Sequence, residues 1–553
     1  MAPMRSVTGV AGAALLSCAA ALGIVACGGS SAAVREGGTA TVLMGTAPDY
    51  LDPQEGYTTQ AAEPDWITYT PLLTYRHAAG NAGTELIPGL AQDLPKVSKD
   101  GRTYTLTLRK GLVFSNGRPV RASDFTATIE RAIRLNWGGK SFFTNYIAGA
   151  SAFDRGASNT ISGIETDNAT GKITIHLTTA YGAFDNVLAF PAAGLVPSGT
   201  PAKNLSNDPP PGVGPYVITD VSPNRTFALV KNPRFASLRI PGIPTGHLAR
   251  VQVNITSNTQ SEAEQVLDNQ ADAFDAGDTL PPSLLPQIES KASDRFSRQS
   301  IPSTFYFFLN TRTKPFDNPL AREAVNYALD RRALVRLASG FLKPECYFLP
   351  EGIAGHPTGS CAYGSRDGAP DLAKAKALVQ QAGLVGTPVT VWGQTRSPRK
   401  QYVEYYTSVL NKIGFKATPK IISDSIYFPT IGNAKTGAQT GFADWLQDFP
   451  NPSDFYLLMD AKSIQPTNNE NFGNVDDPHI QRELARLDAV PATSLDSVAG
   501  EWQKLDDYTA KKAYAAVYGS EELPMFFSNR IDFQTAIFHP LYLNDWTSWQ
   551  LKK

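Results

Sequence analysis

Apolar and polar positions alternate with two different periods along this chain, and the two periods predict a mixture of strands and helices. Residues 39–44 are a β-prone run, and residues 103–109 place an apolar side chain at every second position, as in a half-buried strand. Residues 124–135 carry apolar side chains at helical spacing, and Ser123 is suited to cap that helix. Both element types are therefore expected in the first part of the chain.

The second half alternates helices and strands. Asn318-Pro319 opens a helix, because proline fits where no N–H is needed. Helices are also expected over residues 371–382 and 401–413, with a strand over 388–392 between them and a last helical region over 496–518. The order helix, strand, helix, strand indicates α/β architecture with at least one parallel crossover.

One stretch, residues 441–456, combines carboxylates with an aromatic side chain. It reads GFADWLQDFPNPSDFY and places Asp444 and Asp448 on either side of Trp445. Because proline cannot donate a ladder hydrogen bond, the element that carries Trp445 should end near Asp448, before Pro450. A carboxylate beside an indole at the mouth of a cleft is suited to hold a cation. The same pattern also fits an ordinary strand-to-loop junction with a solvated aspartate.

The first 26 residues have the character of an export signal. Arg5 supplies a positive start, and residues 7–25 contain no Asp, Glu, Lys or Arg. The stretch ends in IVACGGS, which resembles the lipobox of bacterial lipoproteins and implies a lipidated Cys27 followed by a tether over residues 27–36. A plain transmembrane anchor is the alternative, because the apolar stretch is nearly long enough to span a bilayer.

Four cysteines are present, of which Cys18 lies in the N-terminal signal and Cys27 at the lipobox. The remaining two, Cys346 and Cys361, lie 15 residues apart and in an exported chain most simply form a disulfide. A metal site is the weaker alternative, because His356 is the only nearby histidine and no CxxC motif occurs.

The chain has 553 residues with a formal net charge of −1. It therefore lacks the excess of positive charge that is typical of a nucleic-acid-binding protein. Charged residues make up only 18%, beside 45 Gly and 40 Pro, which fits a loop-rich extracytoplasmic protein. Hydrophobic residues at 42% suffice for the cores of several domain-sized units.

Enzyme motifs are sparse. No GxSxG or HExxH motif occurs, and matches to SxxK at 397–400 and KTG at 435–437 lie too close together to form a penicillin-binding site. The six histidines show no pair at ligand spacing, so neither a metal nor a cofactor is expected. We therefore expect a protein that is not an enzyme, although a hydrolase without a recognisable motif stays open.

Several motifs follow one another in a fixed order along the chain. They are LIPGLAQDLPKVSKDGRTYTLTLRKGLVFSNGRPVRASDF from residue 86, GVGPY at 212–216, LVKNP at 229–233, FLNT at 308–311, and PFD with REAVNYALDR between 315 and 331. Together they resemble the family 5 extracellular solute-binding proteins, the oligopeptide, dipeptide and nickel receptors of ABC importers. The resemblance covers essentially the whole chain after the signal.

The resemblance implies a two-lobed α/β fold of the periplasmic-binding-protein type, with an extra inserted domain and a hinge between the lobes. The implied limits are residues 37–66, 204–299 and 524–553 for lobe I, 67–203 for the inserted domain and 300–523 for lobe II.

In peptide-binding members of this family, a W-x-x-D-[YF]-x-[DE]-P segment supplies an aspartate that receives the α-amino group of the ligand. Trp445 and Asp448 match this segment, whereas Phe449 replaces the commoner tyrosine and Asn451 replaces the acidic residue. The resemblance therefore implies that Asp448 binds an ammonium group, with Trp445 beside it.

Three further residues are candidates to line the cleft: Tyr50 from the first lobe, and Trp392 and Arg396 from the second. Arg396 could bind a free peptide carboxylate, with a solvated arginine as the alternative.

The expected protein is a monomeric receptor, anchored to the cell membrane by its lipid and placed outside the cytoplasm. It would deliver a peptide or peptide-like solute to an ABC permease and its ATPase. A metal chelate, an oligosaccharide or a hydrophobic peptide are alternative ligands, and a surface lipoprotein for signalling or adhesion is an alternative function.

Overall fold

The computed structural model describes residues 36–552. The predicted export signal and Cys27 lie outside the described residues, so lipidation stays a prediction. None of the described helices combines the length and the apolar character that crossing a membrane requires.

Strands and helices alternate through the described chain. The strands are β1 (Thr39–Met44), β2 (Leu73–Tyr75), β3 (Leu86–Pro88), β4 (Lys96–Val97), β5 (Thr103–Thr107), β6 (Ile164–Asp167), β7 (Lys172–His176), β8 (Tyr216–Ser222), β9 (Thr226–Lys231), β10 (Arg250–Ile255), β11 (Ala273–Phe274), β12 (Phe296–Ser300), β13 (Ser303–Leu309), β14 (Leu342–Pro344), β15 (Pro388–Gln394), β16 (Lys416–Ile422), β17 (Thr440–Leu446), β18 (Ala515–Phe527), β19 (Ile537–His539) and β20 (Leu543–Asp545). The α-helices are α1 (Thr59–Trp66), α2 (Ala122–Arg134), α3 (Ser141–Thr144), α4 (Ala150–Asp154), α5 (Phe184–Val187), α6 (Phe235–Leu238), α7 (Thr259–Leu267), α8 (Leu285–Lys291), α9 (Pro319–Ala328), α10 (Arg331–Leu337), α11 (Leu372–Gln381), α12 (Arg399–Ile413), α13 (Asp424–Ile431), α14 (Pro452–Tyr456), α15 (Pro478–Leu487) and α16 (Ala499–Lys511).

The largest sheet has the strand order β16-β15-β17-β13-β18-β11-β1-β10-β9-β8, and β12 and β14 also pair with β18. In its first half, β1 pairs in parallel with β10 and β11. In its second half, β15 pairs in parallel with β16 and β17. These pairings confirm the predicted α/β architecture with parallel crossovers.

Two connections join the halves of this sheet. β12 leads into β13 through Ile301-Pro302. β18 pairs with β13 through its first residues and with β12 and β11 through its last, so that Gly519 faces Phe305 whereas Glu522 faces Ser300. We call the part built on β1 and β8–β11 the first lobe and the part built on β13 and β15–β17 the second lobe. The predicted domain limits themselves stay a prediction.

A separate antiparallel sheet, β4-β5-β7-β6, lies in the region predicted as the inserted domain. Helix α2 buries Phe125 and Ile129, as the helical spacing predicts. The predicted cap is wrong, because Ser123 lies inside the helix and Arg121 occupies the cap position. Asp124 Oδ2 accepts a hydrogen bond from the Arg121 backbone N at 2.7 Å, which ties the first turn to the residue before it.

Most predicted helix ends are confirmed by their caps. Asn318 Oδ1 accepts from Leu320 N at 2.9 Å at the start of α9, and Gly414 ends α12 with a φ of +115°, which favours glycine. The predicted helical region 496–518 is too long. Residues from Ala515 onward are in β18, where they pair with β13 inside the sheet, so tertiary pairing overrides the helical tendency.

Cys346 and Cys361 are joined by a disulfide with a Cα–Cα distance of 5.8 Å. It closes the loop that follows β14 in the second lobe.

Candidate ligand-binding cleft

The loop after β17 is held in place by one buried carboxyl group, Asp454. Asn451 caps the short helix α14, and Asp454 lies in the first turn of that helix. Asp454 Oδ2 accepts from the Asp448 backbone N at 2.8 Å, and its Oδ1 accepts from Trp445 Nε1 at 3.0 Å. The two prolines of this segment end the strand and start the helix, so Asp454 reaches back to fix both residues of the predicted site.

The Asp448 carboxyl group points across the cleft to the first lobe. Tyr57 Oη donates to Asp448 Oδ2 at 2.6 Å. Burial raises the pKa of Asp448 to about 7, and the hydrogen bond from Tyr57 opposes that rise. Burial, and then the nearby Asp448 carboxylate, raises the pKa of Glu470 to about 8. No cation contributes to either pKa shift, so the carboxyl groups of Asp448 and Glu470 have no positive partner among the described residues.

A cavity that is partly open to solvent lies beside Asp448. Its wall combines the segment from Gly56 to Asp65 on the first lobe with Trp137 and Phe190 of the inserted region, residues 446–448 of the second lobe and the C-terminal segment 540–543. The described residues of this wall include no Lys, Arg or His. The lining is mainly apolar with a few polar groups, the usual composition of a small-ligand site.

Aromatic rings enclose the region near Asp448. The Tyr57 ring lies 5.3 Å from Trp137 and 6.3 Å from Trp445, in edge-to-face arrangements. Trp137 Nε1 donates to the Gly56 carbonyl oxygen at 3.0 Å, which holds this indole against the first lobe. Aromatic faces and an unpaired carboxylate together suit a cationic group.

The two lobes are in contact across the cleft. Arg396 of the second lobe lies 3.6 Å from Asp278 of the first and donates to the Gly277 carbonyl oxygen. Gln447 Nε2 donates to the Pro540 carbonyl oxygen at 3.1 Å. The structure therefore represents a closed arrangement of the cleft.

The other sequence-predicted residues lie away from the cavity wall. Tyr50 is 38% exposed, whereas Trp392 is 6% exposed and has Lys420 Nζ 4.1 Å from its ring centroid. Arg396 is engaged with the first lobe, as described above. Asp444 forms an ion pair with Arg399 at 2.5 Å within the second lobe, which agrees with a structural role. Ligand contact by Tyr50, Trp392 and Arg396 stays a prediction.

Four residues of the site were not predicted from the sequence: Tyr57, Asp65, Trp137 and Asp454. Asp454 had a local signal, since an Asn-Pro-Ser-Asp run places an acidic residue in the first turn of a helix. Tyr57 and Trp137 had none, because their roles depend on contacts between segments distant in the chain.

A two-lobed α/β fold that closes over a cavity with an unpaired carboxyl group defines a solute-binding receptor by its architecture. Residues 85–466 match the family model for bacterial extracellular solute-binding proteins, family 5 Middle, and the chain belongs to this family.

Among curated proteins, the chain is similar to the glutathione-binding protein GsiB of Salmonella choleraesuis (strain SC-B67), with 30% identity over 328 residues. GsiB of Escherichia coli (strain K12) is 29% identical over 326 residues. Each alignment spans 58% of this chain and 58% of the relative.

Among solved structures, the clavulanic acid biosynthesis oligopeptide binding protein 2 has a TM-score of 0.83 at 22% identity and covers 94% of this chain and 96% of its own. The Escherichia coli murein tripeptide binding protein MppA has a TM-score of 0.79 at 18% identity, covering 94% of this chain and 99% of its own. These likenesses confirm the two-lobed fold.

Proposed function

We propose that this protein is an extracytoplasmic receptor that encloses a peptide or peptide-like solute between its lobes and delivers it to an ABC importer. Asp448 would receive the ammonium group of the ligand, with Tyr57 and Trp445 beside it. The single observation that carries this proposal is a carboxyl group on the cavity wall whose pKa is raised to about 7 by burial and which has no cationic partner in residues 36–552. Such a group is poised for a cation supplied by the ligand.

The membership in family 5 supports the receptor class, and the relatives are named as binding proteins, which supports a receptor and not an enzyme. The partners we propose are an ABC permease and its ATPase, together with the membrane through a lipid on Cys27. We propose that the protein is a monomer and that it has no nucleic-acid partner.

Glutathione is a second candidate ligand, because the curated relatives at about 30% identity carry that name. It is a tripeptide with one ammonium and two carboxylate groups, and the described cavity wall offers no cationic side chain for those carboxylates. We therefore favour peptides without acidic side chains.

The test is titration calorimetry of the protein with Ala-Ala-Ala, N-acetylated Ala-Ala-Ala and glutathione, after unfolding and refolding to remove retained ligand. We expect Ala-Ala-Ala to bind and the acetylated peptide to lose most of its affinity, since acetylation removes the ammonium group.

Asp448→Asn should weaken the binding of Ala-Ala-Ala by about 2–5 kcal/mol, because it leaves a buried ammonium group unpaired. Asp476→Asn is the matched control, since Asp476 is an exposed carboxylate of the second lobe outside the cavity. Equal affinity of Asp448→Asn and the unchanged protein would rule out the proposed ammonium site.

A further inference from the structure

Asp65 is a second carboxyl group on the cavity wall, and no cation in the described part of the chain neutralises it. It lies in α1 of the first lobe, is 1% exposed and lines the same cavity as Asp448. Its Oδ1 has no hydrogen-bond partner among the described residues. Burial, and then the charges of Asp52 and Asp49, raises the pKa of Asp65 well above its usual range. A buried carboxyl group without a partner is costly, which calls for an explanation.

The opposite wall carries an independent unsatisfied acceptor. Gln447 is 5% exposed and uses its Nε2 to contact the first lobe, but its Oε1 is buried without a hydrogen-bond partner among the described residues. Both walls of the cavity therefore carry an acceptor for which the described residues supply no donor.

The Tyr57 side chain lies between the carboxyl groups of Asp65 and Asp448. Asp65 Oδ2 lies 3.1 Å from where a Cβ on Gly56 would stand, and Tyr57 is the next residue. The Tyr57 hydroxyl donates to Asp448 Oδ2. The Tyr57 side chain thus extends from the neighbourhood of Asp65 to Asp448. The wall also contains apolar side chains, among them Ala62, Ile301, Leu446 and Leu541.

We propose that Asp65 is a second cation-binding group, and that the ligands are peptides or peptide-like solutes with two cationic groups joined by an aliphatic segment. A peptide that begins with lysine is the simplest example. This inference rests on the proposed function, because Asp448 receives the first ammonium group. The aliphatic segment packs on the apolar wall, and an acidic side chain in place of the second cationic group is selected against, because it would lie beside the carboxyl group of Asp65.

The test is titration calorimetry at pH 7 with Lys-Ala-Ala, norleucyl-Ala-Ala and Glu-Ala-Ala. Norleucine keeps the aliphatic chain of lysine without its ammonium group. We expect Lys-Ala-Ala to bind at least about tenfold more tightly than the norleucine peptide, and Glu-Ala-Ala to bind most weakly. The lysine peptide should also release more protons on binding than the norleucine peptide, seen in buffers of different ionisation enthalpy, because burial favours the neutral form of Asp65 and the second ammonium group favours the ionised form.

Asp65→Asn should abolish the preference for the lysine peptide over the norleucine peptide. Glu262→Gln is the matched control, since Glu262 is a fully buried carboxyl group of the first lobe, without partners for its oxygens among the described residues and outside the cavity. It should leave the preference unchanged.

Equal affinity for the lysine and norleucine peptides would overturn this inference and leave the proposed function standing. The same holds if Asp65→Asn folds but keeps the lysine preference. Absence of binding by all three peptides would overturn the proposed function, and this inference with it. The comparison of peptides on the unchanged protein does not depend on how well a variant folds.

Discussion

Replacing Arg396 by glutamine should weaken ligand binding by removing a contact between the lobes. The guanidinium and the Asp278 carboxylate are 17% and 2% exposed, and Arg396 also donates to the Gly277 carbonyl oxygen. Breaking a buried ion pair typically costs about 3–5 kcal/mol, because one charge stays buried alone. Asp278 keeps a hydrogen bond from Gly45 N, and Arg396 is partly exposed. We therefore expect the substitution to reduce the stability of the closed form relative to the open form by about 2 kcal/mol. That is roughly a thirtyfold shift from the closed towards the open form.

The assay is titration calorimetry of Arg396→Gln with Ala-Ala-Ala and with its C-terminal amide, while small-angle scattering follows closure. If the closed form is the minor one without ligand, the full shift appears in the affinity, and it should be equal for both peptides. Arg312→Gln is the control, because its pair with Asp476 spans 3.4 Å between side chains about half exposed and is worth about 0–1 kcal/mol.

Two results would refute this reasoning about Arg396. Unchanged affinity and unchanged scattering would show that the contact does not stabilise closure. A loss of affinity only for the peptide with a free carboxylate would instead indicate that Arg396 binds that carboxylate, which is the role predicted from the sequence.

Tyr57→Phe should weaken Ala-Ala-Ala binding by about 1 kcal/mol, because it removes the hydrogen bond that joins the lobes at Asp448; calorimetry showing no loss would contradict this. Ligand-free protein should melt at a lower temperature at pH 8 than at pH 5. The pKa values of about 7 and about 8 at Asp448 and Glu470 lie above those of the unfolded chain, so the folded state loses stability as pH rises through them, by up to about 1.4 kcal/mol per pH unit and group. Melting at a higher temperature at pH 8 would be the contrary result. Replacing Cys346 and Cys361 by serine should cost about 3 kcal/mol in the chain-entropy model for a 15-residue separation, read as a lower denaturant midpoint, and an unchanged midpoint would exclude this.

The parts of the fold that could be predicted are those with local signals. The Asn318-Pro319 start and the Gly414 end of helices follow from backbone chemistry within a few residues, and both are present in the structure. The start of β18 could not be predicted, because residues from Ala515 onward become a strand only through pairing with β13. Local preference is a weak prior against such pairing.

The same distinction applies to the site. The strand-to-loop position of Asp448 follows from the prolines around it, whereas its partner Tyr57 lies 391 residues away in sequence. The sequence around Asp65 contains no recognised site motif, and only the closed cleft shows that its carboxyl group lines a cavity. Contacts between lobes carry no signal in the pattern of either lobe alone.

The raised pKa of Asp448 also indicates why a cationic ligand would favour closure. In an open cleft this carboxylate would face water and titrate near its usual value of 3.8, whereas in the closed arrangement burial raises the pKa to about 7. Closing the cleft over the ionised carboxylate therefore costs free energy. At neutral pH the empty cleft must therefore either take up a proton or stay open. An ammonium group beside Asp448 offsets the same cost only when the cleft is closed, which is the differential affinity that a ligand needs in order to shift the population. Proton and ligand thus compete for one carboxylate, so affinity should rise as pH approaches about 7. It should fall again at higher pH, because the α-amino group of a peptide loses its proton near a pH of about 8.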